Sequence, residues 1–193
     1  MTRGNTLGRR AFFSVSAAIA TTAAAAVALP GRALAAPAIT GKAAATATRS
    51  LHLFNVNTGE TGKFLYWEQG RYIPDVMRQV DHILRDRRTD EVHAIAPELL
   101  DLVSSLARKL DSSAPFHVVC AYRSHDTNEE LASTRRGVAK RSYHMDGKAL
   151  DLRMPNRGLH MVRGAAMQLK GGGVGYYRRS NFVHVDVGPV RHW

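Results

Sequence analysis

The chain has 193 residues, 45% of them hydrophobic, which is enough to bury one hydrophobic core. Its only cysteine is Cys120, so an intramolecular disulfide is excluded, and stability must come from the core and from any bound metal. The formal net charge of +11 fits either an anionic partner, such as a charged polymer or membrane lipid, or a basic surface without a partner. The charge therefore does not choose a substrate.

The first 35 residues have the pattern of an export signal. An Arg-Arg pair at residues 9–10 precedes a weakly apolar run at 14–29, and the small residues of 33–35 suit signal-peptidase cleavage. The run is rich in Ala and Thr and makes a poor membrane span, so we predict a cleaved twin-arginine signal and export to the periplasm. The alternative is an uncleaved N-terminal anchor. Cleavage would remove four arginines and no acidic residue, leaving a charge of +7 on 158 residues.

The remaining chain predicts one α+β domain. Residues 36–48 read as a flexible lead-in and residues 49–193 as the domain. In chain order the patterns predict a hairpin at 51–56 and 63–67, helices after Pro74 and Pro97, a strand at 116–122, a short helix at 129–136, a helix from Leu159 to Leu169, and closing strands at 174–177 and 182–187. We expect a mainly antiparallel sheet with helices packed on it.

The last predicted strand presents two polar side chains on one face. Val183 and Val185 would point into the core, so His184 and Asp186 would share the opposite face. The run from residue 117 to 121, by contrast, is apolar around Cys120 and predicts a buried structural thiol rather than a nucleophile.

An earlier segment supplies matching polar groups. Asp151 would lie on the face opposite two core leucines, and Gly147 provides a turn that lets His144 fold back toward Asp151. Two histidines and one carboxylate, His144, Asp151 and His184, form the ligand set of a catalytic zinc site, which keeps a fourth position open. The other histidines do not repeat at metal-ligand spacing.

Three segments in a fixed order carry a family resemblance. They are Tyr122-Arg123-Ser124 with Asn128, Ser142-Tyr143-His144 with Gly147 and Asp151, and the closing run from Phe182 to Gly188. Together they resemble the zinc peptidases of the D-Ala-D-Ala dipeptidase and carboxypeptidase clan, and most closely the murein endopeptidase K family. The resemblance covers nearly all of residues 49–193 and implies the zinc D-Ala-D-Ala peptidase (Hedgehog/LAS-type) fold.

The resemblance also implies a function. His144, Asp151 and His184 would bind Zn²⁺, and Arg123 would bind the oxygen that becomes negative during amide hydrolysis. Alternatively, Arg123 pairs with Asp126 or caps its turn. The implied activity is that of an exported zinc endopeptidase that cuts peptide cross-links of peptidoglycan, with diaminopimelate-diaminopimelate (L,D) bridges as the expected substrate. The alternatives are the D-Ala-diaminopimelate (D,D) bond and a non-catalytic, zinc-stabilised wall-binding module.

The sequence also bears on binding to nucleic acid, to membranes and to the carboxylates of the substrate. A nucleic-acid partner is disfavoured because no recognised motif is present and the chain is predicted to be exported. We expect no stable membrane insertion after signal cleavage. Substrate carboxylates would pair with basic residues, or these would simply be surface charges; the candidates are Arg141, Arg153, Arg178 and Arg179. The terminal run from Arg191 to Trp193 would either shape the cleft or pack as a plain C-terminus.

One position departs from the clan pattern. Many clan members place a carboxylate base three residues before the last ligand, and this chain has Asn181 there, which cannot act as a base. Asp186, two residues beyond His184 on the same strand face, is the predicted catalytic base. The competing interpretations are that Asp186 orients a ligand or binds zinc itself.

Overall fold

Eight strands in the described residues form one mixed sheet, seen in a computed structural model that describes residues 48–134 and 137–193. The strands are β1 (Arg49–Asn55), β2 (Thr61–Glu68), β3 (Arg71–Tyr72), β4 (Phe116–Cys120), β5 (Ala149–Arg153), β6 (Gly173–Tyr177), β7 (Phe182–Asp186) and β8 (Arg191–His192). Their order across the sheet is β3-β2-β1-β4-β5-β7-β6-β8. The pairs β1–β4 and β6–β8 are parallel, and the other neighbours are antiparallel.

Some predicted segments lie outside the described residues. These are the signal at 1–35, the lead-in up to residue 47, and residues 135–136 at the end of the predicted short helix. In the ranges that the structure describes, no helix combines the length and apolar character needed to cross a membrane.

Four helices lie in the described residues. They are α1 (Pro74–Ile83), α2 (Pro97–Lys109), α3 (His125–Thr134) and α4 (Leu159–Leu169), with a 3-10 turn at Tyr143–Asp146. α1 and α2 each open on a proline, which is tolerated there because the first amide has no partner inside a helix. α3 starts four residues before the predicted position, at His125.

The hydrophobic core lies between the sheet and the helices. Leu53 of β1, Leu150 and Leu152 of β5, Leu99 of α2 and Val162 of α4 are fully buried. Helices and strands thus share one core, which confirms the predicted α+β class.

A row of four residues crosses the sheet on the face away from this core. Cys120 pairs with Asp151, Asp151 with His184, and His184 with Gly175, so β4, β5, β7 and β6 each contribute one position. A bulge between Val118 and Cys120 puts the cysteine in this row. The row forms the floor of a cleft.

Candidate metal centre

Three donor atoms meet on this floor, one from each residue that the sequence predicts as a metal ligand. His184 Nδ1 lies 2.9 Å from Asp151 Oδ1 and 3.2 Å from His144 Nε2. His144 Nε2 lies 3.3 Å from Asp151 Oδ1. The exposed fractions of His144, Asp151 and His184 are 3%, 7% and 8%. The fold therefore brings together and buries residues that are up to 40 positions apart in the chain.

The 3-10 turn aims His144 at the row. Ser142 caps this turn by accepting a hydrogen bond from the His144 amide, and Gly147 ends it in the left-handed region at φ 63°. A Cβ at position 147 would collide with the carbonyl oxygen of Ala94, so glycine is required there for space as well. The predicted fold-back of His144 toward Asp151 is confirmed.

Backbone contact fixes the orientation of the His144 ring. Its Nδ1 lies 2.6 Å from the carbonyl oxygen of Ala121, which can only accept, so Nδ1 carries the proton and donates. In the neutral ring Nε2 is then left with a free lone pair, and Nε2 is the atom in the donor triangle.

Asp186 fixes the orientation of the second histidine. His184 Nε2 lies 3.0 Å from Asp186 Oδ2 and donates to it, which leaves Nδ1 to face His144 and Asp151. Asp186 thus lies on the side of the imidazole ring opposite the donor triangle.

The carboxylate of Asp186 is held by several donors at once. Oδ1 accepts from the amides of Gly173 (3.1 Å) and Gly188 (2.8 Å) and from Arg191 Nη1 (3.0 Å), and Oδ2 accepts from Arg191 Nη2 (2.7 Å) as well as from His184. The side chain is fully buried. Burial alone would raise the pKa of Asp186, but the hydrogen bonds from His184, Arg191 and the two amides outweigh it and hold the pKa well below its usual value.

The charges of the three groups in the donor triangle influence one another. Burial would raise the pKa of Asp151, but the adjacent His144 and His184 lower it well below its usual value. Burial would lower the pKa of both histidines, but the Asp151 carboxylate, with Cys120 beside His144 and Asp186 beside His184, raises it. A buried carboxylate that draws positive charge to itself favours occupation by a cation.

The spacing of the three donor atoms fits a small divalent cation. In tetrahedral zinc sites with bonds of about 2.0–2.1 Å, neighbouring ligand atoms are separated by roughly 3.3 Å. The triangle formed by His144, Asp151 and His184 has sides of 2.9, 3.2 and 3.3 Å. A second set, Cys120 with His144 and Asp151, is looser, with ligand atoms within 4.8 Å. We favour the first set because its spacing matches the bond lengths.

Cys120 corrects one expectation from the sequence. The apolar run from residue 117 to 121 predicts a buried structural thiol, but Cys120 is half-buried and contributes to the cleft. The reason is the bulge after Val118, which turns the next paired residue to the cleft face. Burial raises the pKa of the Cys120 thiol, and the neighbouring His144 and Arg123 more than offset this, so its pKa lies below the usual value.

Arg123 enters the cleft from the turn before α3. Its Nη1 donates to Asn128 Oδ1 at 3.2 Å and its Nη2 to Cys120 Sγ at 3.5 Å. Its Nε is buried without a hydrogen-bond partner in the described residues, where no ion pair to Asp126 is found either. Arg123 therefore has no carboxylate partner among the described residues, and it contacts Cys120, which pairs with Asp151 across the sheet.

The terminal segment forms one side of the cleft. The Trp193 ring centroid lies 5.4 Å from that of His184, and Trp193 Nε1 donates to the Tyr177 hydroxyl at 2.9 Å. Gly175 makes room for the ring, since a Cβ there would lie 2.7 Å from it. Of the two interpretations of this segment, the structure favours a role in shaping the cleft. Sequence reasoning did not identify Arg191 as the partner of Asp186, because β8 is too short to show strand alternation.

A buried set of two histidines and one aspartate at the floor of a cleft, on an α+β scaffold, has the donor types found in the catalytic metal sites of hydrolases. The comparisons with known proteins agree with this class. The chain belongs to the family described as Peptidoglycan L,D-endopeptidase MepK, whose model matches residues 43–193.

Curated relatives support the same family. The chain is 43% identical over 145 residues to the peptidoglycan L,D-endopeptidase MepK of Escherichia coli K12, covering 75% of this chain and 80% of the relative. It is 42% identical over 148 residues to the probable peptidoglycan L,D-endopeptidase MepK of Haemophilus influenzae, covering 75% of this chain and 78% of that protein.

Proposed function

We propose that this protein is a zinc-dependent peptidoglycan endopeptidase of the Hedgehog/LAS-type fold that hydrolyses L,D cross-links between diaminopimelate residues. Family membership supports the reaction and the substrate class. The observation that carries the proposal is the buried triangle of His144 Nε2, Asp151 Oδ1 and His184 Nδ1, which opens into a cavity of about 560 Å³.

The triangle would hold the metal through those three atoms. When bound, zinc supplies a Lewis acid that polarises the amide carbonyl and lowers the pKa of water. Ala121 and Asp186 keep the outer nitrogens of His144 and His184 protonated, so the inner nitrogens keep their lone pairs for the metal.

Arg123 is proposed to stabilise the negative oxygen that develops as the amide is attacked. Its permanent charge suits this role, it lines the cleft, and its side-chain hydrogen bonds among the described residues go only to the uncharged Asn128 amide and to Cys120. Asn128 holds Nη1 and so limits the movement of the guanidinium.

Asp186 is proposed to orient His184. Of the three interpretations of this residue, the contacts support this one, because both carboxylate oxygens are engaged and the histidine ring separates them from the donor triangle. A catalytic base needs a free lone pair within reach of the proton that it takes.

The proposed activity is tested on isolated sacculi. The mature chain, loaded with zinc, is expected to release uncross-linked muropeptides, and their masses identify the bond that is cut. His144→Ala should abolish the release, whereas His160→Ala, which removes an exposed histidine outside the described lining of the cleft, should not. Loss of D-Ala-diaminopimelate bonds would indicate the D,D specificity, and binding without release would indicate a non-catalytic wall-binding module.

The protein is proposed to act in the periplasm after export by the twin-arginine route. The support is the Arg9-Arg10 pair before a weakly apolar run. Replacing both arginines by lysine is expected to leave the precursor in the cytoplasm. Normal processing of this variant, or processing of the natural chain in cells that lack the twin-arginine translocase, would contradict the route.

A further inference from the structure

The charges that line the cleft are unequal. Five arginines and a single carboxylate contribute to it among the described residues: Arg87, Arg88, Arg123, Arg141, Arg191 and Asp151. Two histidines share that carboxylate in the donor triangle, so it does not neutralise the arginines. The cleft therefore has an excess of positive charge.

Two of the five arginines are already paired. Arg191 binds Asp186 at 2.7 Å, and Arg88 binds Glu130 at 2.7 Å. Arg87, Arg123 and Arg141 have no carboxylate partner within residues 48–134 and 137–193. Since Arg123 lies beside the donor triangle and is assigned to the reacting oxygen, two exposed arginines remain for another part of the substrate.

The segments that carry these two arginines are both tied to α3. The amide of Asn128 donates to the carbonyl oxygens of Ala139 (3.2 Å) and Lys140 (3.1 Å), and its oxygen accepts from Arg123. The segment that leads into Arg141 is thereby held against α3. Arg87 precedes Arg88, which is tied to α3 through Glu130.

The opposite side of the cleft is aromatic. Phe182 stacks on Tyr177 with ring centroids 4.6 Å apart, and Tyr177 in turn binds Trp193. These residues belong to β6, β7 and the segment after β8, whereas α3 follows β4, on the other side of the central strand β5. The donor triangle lies between a cationic and an aromatic side.

We propose that Arg87 and Arg141 form a subsite for a free carboxylate of the peptide cross-link, an inference that rests on the proposed function. A guanidinium offers paired donors in the geometry of a carboxylate, and binding on the α3 side leaves the apolar part of the bridge against Trp193. Of the four arginines suggested by the sequence, the described lining of the cleft includes Arg141 but not Arg153, Arg178 or Arg179. Because the subsite recognises the negative charge of the carboxylate, it should bind a cross-link whose carboxylate is amidated less tightly.

The test uses two synthetic cross-linked dimers that differ only in whether the carboxylate next to the scissile amide is free or amidated. The zinc-loaded protein should prefer the free form by about tenfold in KM. The double variant Arg87→Ala/Arg141→Ala should lose this preference and treat the two dimers alike. Both residues are exposed, so the fold is retained. The matched control, Arg178→Ala/Arg179→Ala, removes two exposed arginines outside the described lining and should keep the preference.

The proposed subsite would be contradicted if the Arg87→Ala/Arg141→Ala protein still preferred the dimer with the free carboxylate. It would also be contradicted if the unmodified protein showed no preference between the two dimers. Calorimetric binding of both dimers to the metal-free protein gives the same comparison without turnover. If the unmodified protein cleaves neither dimer, the proposed function fails, and the ratio of the two binding constants still decides whether the subsite exists.

Discussion

The contacts of Asp186 support one of the three roles that the sequence leaves open for this residue. Its place two residues after His184 brings it close to the candidate metal centre but does not say on which side of the His184 ring it lies. In the structure the Asp186 carboxylate accepts one hydrogen bond from the protonated Nε2 of His184 and two from the guanidinium of Arg191. Such outer partners of metal-binding histidines fix the tautomer and strengthen the ligand.

For Asp186→Asn we therefore expect zinc affinity to fall about 10- to 100-fold, with activity partly restored by added zinc. The amide would turn its NH₂ toward Arg191 or His184 and weaken the orienting contact. Zinc affinity by competition with a chelator dye checks this, with the exposed Asp126→Asn as control. Unchanged affinity together with a loss of activity of roughly 10²-fold or more would instead support the base role.

The backbone conformation of Asn181 explains why an asparagine is suited to this turn. Its backbone lies in the left-handed region at φ 55°, in the turn between β6 and β7, where asparagine is tolerated better than most residues. Its carbonyl oxygen accepts from Arg153 Nη1 at 3.5 Å. The position that carries a base in many clan members is here a turn residue.

At the scale of elements, regular periodicity was predictable and irregularity was not. The closing strands and the faces of His184 and Asp151 follow from alternation, and the structure places both side chains together. The bulge before Cys120 adds one residue to β4, and nothing in an apolar run marks where such an insertion falls. β8 has only two residues, which is too few to show strand alternation. The ion pair between Arg191 and Asp186 could therefore not be predicted from the sequence.

One buried aspartate links the segment that follows α1 to the turn that precedes α3. Asp86, which follows α1, is 2% exposed and accepts from the backbone amide and the hydroxyl of Ser124 at 2.8 Å each, and from the Arg88 amide at 2.9 Å. Burial raises the pKa of Asp86, but bonds from Thr127, Arg88 and Ser124 outweigh it, so the pKa is lowered. These bonds fix the turn that carries Arg123.

Asp86→Asn is expected to reduce the free energy of unfolding by about 1–3 kcal/mol at pH 7, since buried donors lose an acceptor. Because the folded pKa of Asp86 lies below the unfolded value of about 3.9, its contribution is full above that pH and is lost as pH falls through the folded pKa. Urea unfolding of the metal-free proteins at pH 7 and pH 3 checks this. A difference between variant and natural chain that did not shrink at pH 3 would contradict the assignment.

At the scale of the whole molecule, the centre joins parts of the chain that fold as separate elements. His144 comes from the 3-10 turn, Asp151 from β5 and His184 from β7. In the metal-free protein the two histidines have raised pKa values, since Asp151, helped by Cys120 at His144 and Asp186 at His184, outweighs the effect of burial. A raised pKa stabilises the folded state below the unfolded value of about 6.5, and this contribution is lost as pH rises through the folded pKa.

Zinc should reverse this dependence. The metal needs the lone pairs of His144 Nε2 and His184 Nδ1, so binding releases protons and tightens as pH rises. Because a ligand at 100 times its Kd stabilises a protein by about 2.7 kcal/mol and at 1,000 times by about 4.1, the increase in Tm caused by a fixed zinc concentration should grow from pH 5 to pH 8. Thermal unfolding with zinc and with chelator at each pH measures it, and His144→Ala should lose most of the effect. A zinc-induced increase in Tm that is constant over this range would show that these histidines do not bind the metal.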